Sequence, residues 1–318
     1  MEKQRCLYCY GIMDADHLDL HPACSRKIFR SAEAPEIPYS EDDMLKLGEQ
    51  VIKSQSTITG AQPKLSLELD KLSKKSEPQR FTIIGLWGNY ILKPSPREYP
   101  NLPELEDLTM HLASLAGIQT VPHSLIRLKS GNLSYITRRI DRSEDQRFHM
   151  EDMCQLTERL TEHKYNGSYE QIGKAIIRYS AYPGLDIINY FEQVLFSFLT
   201  GNADMHLKNF SLIDQPGVGY ILAPAYDLLA SNLVVKGDDE ELALTLNGKK
   251  KKIRHKDFLE VSKRFGIDDK THENIFLKFQ KTIPQWQDFI EISFLSGDMK
   301  KRYNDLISQR SDQIGLFR

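Results

Sequence analysis

The stretch of this chain richest in chemistry runs from Gly201 to Asp227. Gly201-Asn-Ala-Asp204-Met-His206-Leu-Lys208-Asn209 sets an acid and an amide five positions apart, and Ala223-Pro-Ala-Tyr226-Asp227 adds a second acid. On a loop between a rigid helix and a strand, Asp204 and Asn209 can converge on one point. A returning strand would then bring Asp227 beside Asn209. Phosphoryl transfer needs an acid near the acceptor hydroxyl and oxygen ligands for Mg²⁺, which prefers carboxylate, amide and phosphate oxygens. Asp204 therefore reads as a base, with Asn209 and Asp227 as metal ligands. Asp and Asn also cap turns, and either residue alone would read that way. The combination of helix, spaced pair, hairpin and returning acid favours the chemistry.

Three further groups stand out. Lys93 closes an expected strand, Asn89-Tyr-Ile-Leu-Lys-Pro94, where it could contact ATP phosphates, and Glu106 on the following helix could pair with it. Taken singly, Lys93 reads as a solvated edge lysine and Glu106 as an exposed helical glutamate. Cys6-x2-Cys9 followed by His21-x2-Cys24 offers four ligands at knuckle-like spacing, suited to a structural Cys₃His zinc site. His17 could replace His21, and free thiols in a tail are the alternative. Lys249-Lys-Lys-Lys252, with Arg254, His255 and Lys256, follows the hairpin dipeptide Asn247-Gly248. A solvated strand end is the plainer reading of these lysines, and a contact with DNA phosphates is the other.

The elements that must position these groups follow from periodicity. Residues 32–40 carry two prolines and no period, so they read as a linker, and Ser40 caps a helix expected through Ser54. Leu65–Leu69 reads as a strand, and Phe81–Ile84 with Asn89–Lys93 as a hairpin turning at Gly85–Gly88. Leu105, Leu108, Leu112 and Leu115 mark a helix stopped by Gly117. Short strands are expected near Ser124–Leu128 and Leu133–Thr137. Beyond about residue 150 the pattern turns helical, and Ile187, Phe191, Val194, Leu195, Phe198 and Leu199 form the broad stripe of a buried helix. The expected fold is α+β and two-lobed, with a β-rich N-lobe over 38–143, a helical C-lobe over 144–318, and a zinc-knuckle segment over 1–28.

Bulk composition limits the alternatives. The 318 residues carry 42 Lys and Arg against 44 Asp and Glu, a net charge of −2, which argues against binding nucleic acid by bulk electrostatics. Four cysteines make no disulfide framework in a chain this long. No apolar run reaches membrane-spanning length and no signal-peptide pattern opens the chain, so a cytoplasmic protein is expected.

The D-x4-N spacing is the one protein kinases use in their catalytic loop. Seven segments in order extend that likeness: Thr57-Ile-Thr-Gly-Ala-Gln-Pro-Lys64, Ile91-Leu-Lys-Pro94, Arg138-Arg-Ile-Asp-Arg142, His149-Met-Glu-Asp-Met-Cys-Gln155, Lys164-Tyr165, Asn202–Ser211 and Ala225-Tyr-Asp-Leu228. Together they resemble the HipA-family serine/threonine kinase toxins. The resemblance implies ATP and Mg²⁺ as cofactors, Asp204 as catalytic base, Asn209 and Asp227 as Mg²⁺ ligands and Lys93 as the phosphate-contacting lysine. It also implies that His206 and Tyr226 line the nucleotide site and that the backbone of Arg138–Ile140 meets the adenine. The loop of Thr57, Thr59 and Gly60 would cover the phosphates.

Two departures refine the expectation. The family's inhibitory autophosphorylation serine is Thr57 here, with Thr59 as a second hydroxyl; a phosphate there would place about two negative charges where ATP phosphates must sit. The chain is also short before the phosphate loop, where HipA proteins carry a small β-domain. In length and layout it resembles HipT of the tripartite HipBST toxin–antitoxin systems. The implied partners are a HipB-like DNA-binding antitoxin, a separate HipS-like small domain and, as substrate, an aminoacyl-tRNA synthetase, with the tryptophanyl enzyme favoured. Contact with DNA would be indirect, through the antitoxin. An ATP-binding scaffold in an antitoxin–operator complex and a small-molecule kinase are the competing functions.

Overall fold

The computed structural model describes residues 4–13, 19–44, 46, 64–69, 79–84, 88–96, 98–99, 101–143, 146–235, 237 and 239–317. The chain divides into two compact units, Met1–Asp107 with Val121–Glu144, and Leu108–Thr120 with Asp145–Arg318.

In the first unit, a proline at the first helical turn and Arg30 in the left-handed region bound helix α1 (Pro22–Phe29). Strands β1 (Leu65–Leu69), β2 (Phe81–Ile83), β3 (Tyr90–Pro94), β4 (His123–Arg127) and β5 (Leu133–Arg138) form a five-stranded sheet in the order β2-β1-β3-β5-β4. Neighbouring strands are antiparallel throughout. Phe29 of α1 packs edge-on against Phe81 and beside Tyr90, so α1 covers one face of the sheet.

The hairpin expected between Phe81–Ile84 and Asn89–Lys93 does not form. Strand β1 lies between them, pairing Leu67 with Ile83 on one side and with Tyr90 on the other. Gly88 shows why. A Cβ at this position would stand 2.2 Å from the Leu67 carbonyl oxygen, and the Gly88 N–H donates to Ser66 Oγ at 2.8 Å. The chain enters β3 pressed against β1, an approach only glycine permits. The segment expected as a linker forms neither helix nor strand, and isolated bridges fix its path: Glu36 bridges in parallel to Arg80, and Ile37 to Leu128. Ser40 Oγ donates to Asp43 Oδ2 at 2.7 Å and residues 41–44 are helical. Most of the remaining helix expected through Ser54 lies outside the described residues.

The division between units falls inside helix α2 (Leu102–Leu115), which Gly117 stops at φ +74°. The second unit opens with strand β6 (Met150–Asp152) and helix α3 (Met153–Leu156), whose capping box joins Asp152 and Gln155. Helix α4 (Tyr169–Tyr179) begins on a second capping box, Ser168 with Gln171. Helix α5 (Pro183–Thr200) is the apolar element expected from its stripe, with Phe191, Leu195, Phe196, Phe198 and Leu199 fully buried. Strands β7 (Ser211–Gln215) and β8 (Gly219–Leu222) complete a three-stranded sheet, β6-β7-β8. Helices α6 (His255–Arg264), α7 (Asp269–Glu291) and α8 (Gly297–Gln313) close the core. Trp286 Nε1 donates to the Leu112 carbonyl at 2.8 Å within it. The outcome is the α+β class expected, β-rich first and helical after.

Asn247-Gly248 does make a two-residue turn, with φ of 49° and 75° and paired hydrogen bonds between Leu246 and Lys249. The lysines beyond it are not simply solvated. Lys249 pairs with Asp257 at 2.7 Å, Lys250 with Glu240 at 3.1 Å, and Lys251 with Asp239. Their charge is answered by acids of the same unit, which weakens the reading of this run as a contact with DNA.

Candidate functional site

The catalytic-loop candidates are held by how α5 ends. Gly201 takes φ +68° and its N–H donates to the carbonyls of Phe198 and Ser197, the left-handed stop that glycine adopts without penalty. The turn is tight, since a Cβ at Gly201 would meet Leu306 Cδ2 at 2.5 Å. Asn202 N–H donates to the Ser197 carbonyl at 2.8 Å, and Ala203 N–H to Ser231 Oγ at 2.9 Å. Asn202 Oδ1 then accepts the Asp204 N–H at 3.2 Å. The loop leaves the helix along a fixed path.

Asp204 and Asn209 converge as their spacing predicts. The Asp204 carbonyl accepts the His206 N–H at 2.8 Å and Asn209 Nδ2 at 3.0 Å. The Leu207–Asn209 turn of 3₁₀ helix folds the amide back to its acid. Asn209's NH₂ is spent on that bond, so Oδ1 is the atom left to bind a cation. Asp204 keeps its carboxylate for other work, because the backbone carbonyl carries the loop contacts. Asp227 follows β8 in the left-handed region at φ 55°, uncommon for a non-glycine residue and a frequent mark of functional loops. The preceding strand end is fixed by Ala225 N–H donating to the Gln119 carbonyl at 2.8 Å.

His206 joins the two acids. Burial lowers its pKa to about 4, against the opposing pull of Asp204 and, more weakly, Asp227. Both carboxylates thus lie within electrostatic reach of one neutral ring, whose buried Nδ1 has no hydrogen-bond partner. Tyr226 braces the loop from outside: its hydroxyl donates to the Lys208 carbonyl at 3.0 Å and lies 2.5 Å from Ser211 Oγ. Lys208 Nζ donates to Asp152 Oδ2 at 2.6 Å, tying the loop to the cap of α3.

Tyr165 stands in the sequence only as part of a motif, with no role attached to it. Its hydroxyl donates to Asp204 Oδ1 at 2.5 Å, and its ring stands edge-on to His206 at 5.0 Å. The backbone adds a tether, Leu207 N–H to the Lys164 carbonyl at 3.1 Å. Tyr165 precedes Asp204 by 39 residues, and no local spacing links them.

In the first unit, Lys93 is 4 % exposed and forms a buried ion pair with Glu106, itself 1 % exposed. The Lys93 ammonium also lies over the Tyr135 ring at 5.2 Å. The edge-lysine reading fails because β3 is an interior strand between β1 and β5, and the exposed-glutamate reading fails with it. Removing either partner would strand a buried charge. At the other end of β5, Arg138 N–H is taken by the Pro122 carbonyl and Arg139 N–H by the Asn89 carbonyl, at 2.9 and 2.8 Å. A cavity of about 260 Å³ beside this segment is lined by Asn89, Tyr90, Arg138, Arg139 and Arg142 among others. Thr57, Thr59 and Gly60 lie outside the described residues, as does His17. Cys6, Cys9, His21 and Cys24 come together as a cluster.

Comparison with known proteins extends these observations. A protein of Haemophilus influenzae (strain ATCC 51907 / DSM 11121 / KW20 / Rd), named "Putative kinase", is 28% identical over 278 residues, 79% of this chain and 77% of its own length. "Putative kinase Y4dM" of Sinorhizobium fredii is 28% identical over 282 residues, 82% of this chain and 66% of its own. Among solved structures, a chain of the Shewanella oneidensis HipA, HipB and operator DNA complex matches with a TM-score of 0.65 at 19% identity, over 84% of this chain and 70% of that one. The Helicobacter pylori proinflammatory kinase CtkA matches at 0.53 and 17% identity, over 73% and 90%. Those two likenesses establish a shared fold. The family model for the HipA-like C-terminal domain matches residues 56–287, and with most of the chain inside that match, the protein belongs to the HipA-like family.

Proposed function

We propose that this chain is a Mg·ATP-dependent serine/threonine protein kinase. The observation that carries the reading is the Asp204–Asn209 ring, with a hydroxyl already bound to the Asp204 carboxylate. The donor set suits Mg²⁺, since Asn209 Oδ1 and the Asp227 carboxylate are the hard oxygens that ion prefers. Bound Mg·ATP supplies the phosphoryl group and neutralises charge on its oxygens. Asp204 accepts the proton of the acceptor hydroxyl, whose oxygen bonds to phosphorus as the bond to the ADP oxygen breaks. His206, neutral at physiological pH, adds no positive charge that would hold Asp204 back as a base. Lys93 contacts the nucleotide phosphates, with Glu106 fixing its direction. Since the N–H groups of Arg138 and Arg139 are engaged, an adenine meeting that segment would use the backbone at Ile140.

The family and the named kinases among its relatives support this activity. The biological role we propose is that of a toxin held by a HipB-like antitoxin. The likeness to a chain of the Shewanella oneidensis assembly of HipA, HipB and operator DNA supports that role. The proposed acceptor is a protein serine or threonine, on an aminoacyl-tRNA synthetase. Thr57 and Thr59 are the proposed autophosphorylation sites. Mass spectrometry after incubation with Mg·ATP, alone and with tryptophanyl- or glutamyl-tRNA synthetase, tests all of this, with Asp204→Ala in parallel. Phosphate on a synthetase, absent with the variant, is the expected result. Phosphate confined to Thr57 or Thr59 would uphold the kinase and discard these acceptors. Nucleotide binding without any transfer would overturn the kinase in favour of a scaffold.

A further inference from the structure

The first unit carries a cluster of metal-ligating side chains that includes none of the groups assigned to phosphoryl transfer. One ligand atom from each of Cys6, Cys9, His21 and Cys24 lies within 4.8 Å of all the others. Cys9 Sγ stands 3.4 Å from His21 Nδ1, and Cys24 Sγ stands 3.8 Å from the same atom. In a tetrahedral zinc site, Zn–S and Zn–N lengths of about 2.3 and 2.0–2.1 Å put sulfur and nitrogen about 3.6 Å apart. The observed separations bracket that value.

The ring of His21 is set for ligation. Its Nε2 lies 3.1 Å from the Ile12 carbonyl oxygen, a contact that places the proton on Nε2 and turns the Nδ1 lone pair toward the sulfurs. The His21 N–H points at Cys6 Sγ from 3.4 Å. The backbone is shaped to match. Cys6 and Cys9 flank a tight turn in which Cys6 N–H donates to the Gly11 carbonyl and Tyr10 N–H to the Cys6 carbonyl, each at 2.9 Å. His21 is the N-cap of α1, and Cys24 lies in its first turn, so the start of one helix carries two of the four ligands. All three thiols are free of disulfides.

We propose that Cys6, Cys9, His21 and Cys24 bind one zinc ion tetrahedrally, and that the ion is a structural clasp for the first unit. With four protein ligands the site has no open position for catalysis. The clasp holds what the knuckle touches. The Leu7 carbonyl accepts the Leu125 N–H of β4 at 3.2 Å and the Ser124 hydroxyl at 3.2 Å. The Tyr10 hydroxyl donates to Asp107 Oδ2 at 2.9 Å, and Asp107 Oδ1 is 2.7 Å from His123 Nδ1. On α1, the Ile28 carbonyl accepts the Tyr90 hydroxyl of β3 at 3.1 Å. Tyr10 is therefore seated on the residue next to Glu106, the partner of Lys93. Loss of the metal would release the knuckle from β4 and α2 and loosen the Lys93–Glu106 pair.

The test is made on the full chain, purified in reductant without chelator. We expect one zinc per chain by elemental analysis, released when mercurial reagent titrates the thiols. Cobalt added to the stripped protein should give the visible d–d bands of a tetrahedral thiolate site. Cys9→Ser, altering the least buried of the three thiols, should lose both signals, whereas Cys154→Ser should keep them. Metal removal should lower the melting temperature, and added zinc should restore it. Cobalt spectra of the unmutated protein decide the matter even if Cys9→Ser fails to fold. Absence of zinc together with absence of a tetrahedral cobalt spectrum would overturn the proposal. A disulfide among Cys6, Cys9 and Cys24 in freshly reduced and desalted protein would overturn it as well.

Discussion

The loop from Gly201 to Asn209 and the Lys93–Glu106 pair place charged groups by opposite means. In the loop, the helix stop, the Asn202 turn and the Asn209-to-Asp204 bond all come from a few consecutive residues. These local bonds do the holding and leave Asp204 half-buried, its carboxylate outside them and bound by the Tyr165 hydroxyl alone among the described residues. In the first unit, Lys93 and Glu106 are buried and hold each other, a strand residue against a helix residue. There the charges carry structure as well as the proposed function. A charge positioned by its backbone can be changed without harm to the fold, and a charge positioned by its partner cannot.

The largest effect should come from the loop. Asp204→Asn keeps the backbone bonds and should cut phosphoryl transfer by about 10²–10⁴-fold, the usual contribution of a general base. Melting temperature and nucleotide binding should stay near the unmutated values. A variant that unfolds, or that still transfers phosphate at full rate, would erase the contrast.

Lys93→Met should act on both properties. Leaving Glu106 buried without its cation costs about 3–5 kcal/mol of stability, and the proposed phosphate contact would be lost too. The double variant Lys93→Met with Glu106→Leu separates the two, because an apolar pair of similar volume removes the stranded charge. We expect chemical denaturation to show stability recovered while activity stays low. Activity returning along with stability would mean Lys93 has no part in transfer.

A smaller change is expected at Tyr165. Its hydroxyl sits on Asp204 Oδ1, where an acceptor hydroxyl must come. Tyr165→Phe should lower the acceptor KM by roughly three- to tenfold, the equivalent of about 1 kcal/mol for a displaced hydrogen bond, with kcat little changed. A fall in kcat at constant KM would instead make Tyr165 a positioning residue for the base.

The smallest effect belongs to the exposed lysines. Lys250→Gln with Lys251→Gln removes two surface ion pairs, each worth about 0–1 kcal/mol, so the melting temperature should move by no more than a few degrees. Binding of antitoxin-bound operator DNA, followed by fluorescence anisotropy, should be unchanged. A clear loss of binding would restore the DNA reading of this run.

Much was legible in the residues because it is local. The buried helix Pro183–Thr200 was visible in its stripe, the D-x4-N pair in its spacing, the Asn247-Gly248 turn in its dipeptide, and the Cys/His cluster in its two short intervals. Each is set by neighbours a few positions apart, where helix period, turn chemistry and ligand reach decide the outcome. Tertiary structure alone decided the rest. It inserted β1 between β2 and β3, because strand order depends on backbone approach at Gly88 rather than on apolar pattern. It buried Lys93 beside Glu106, since burial follows from a strand's place in the sheet. It brought the Tyr165 hydroxyl onto Asp204 from 39 residues away, and it matched Lys249, Lys250 and Lys251 with acids. Those outcomes depend on contacts between distant segments, and such contacts leave no period or spacing in the sequence to read.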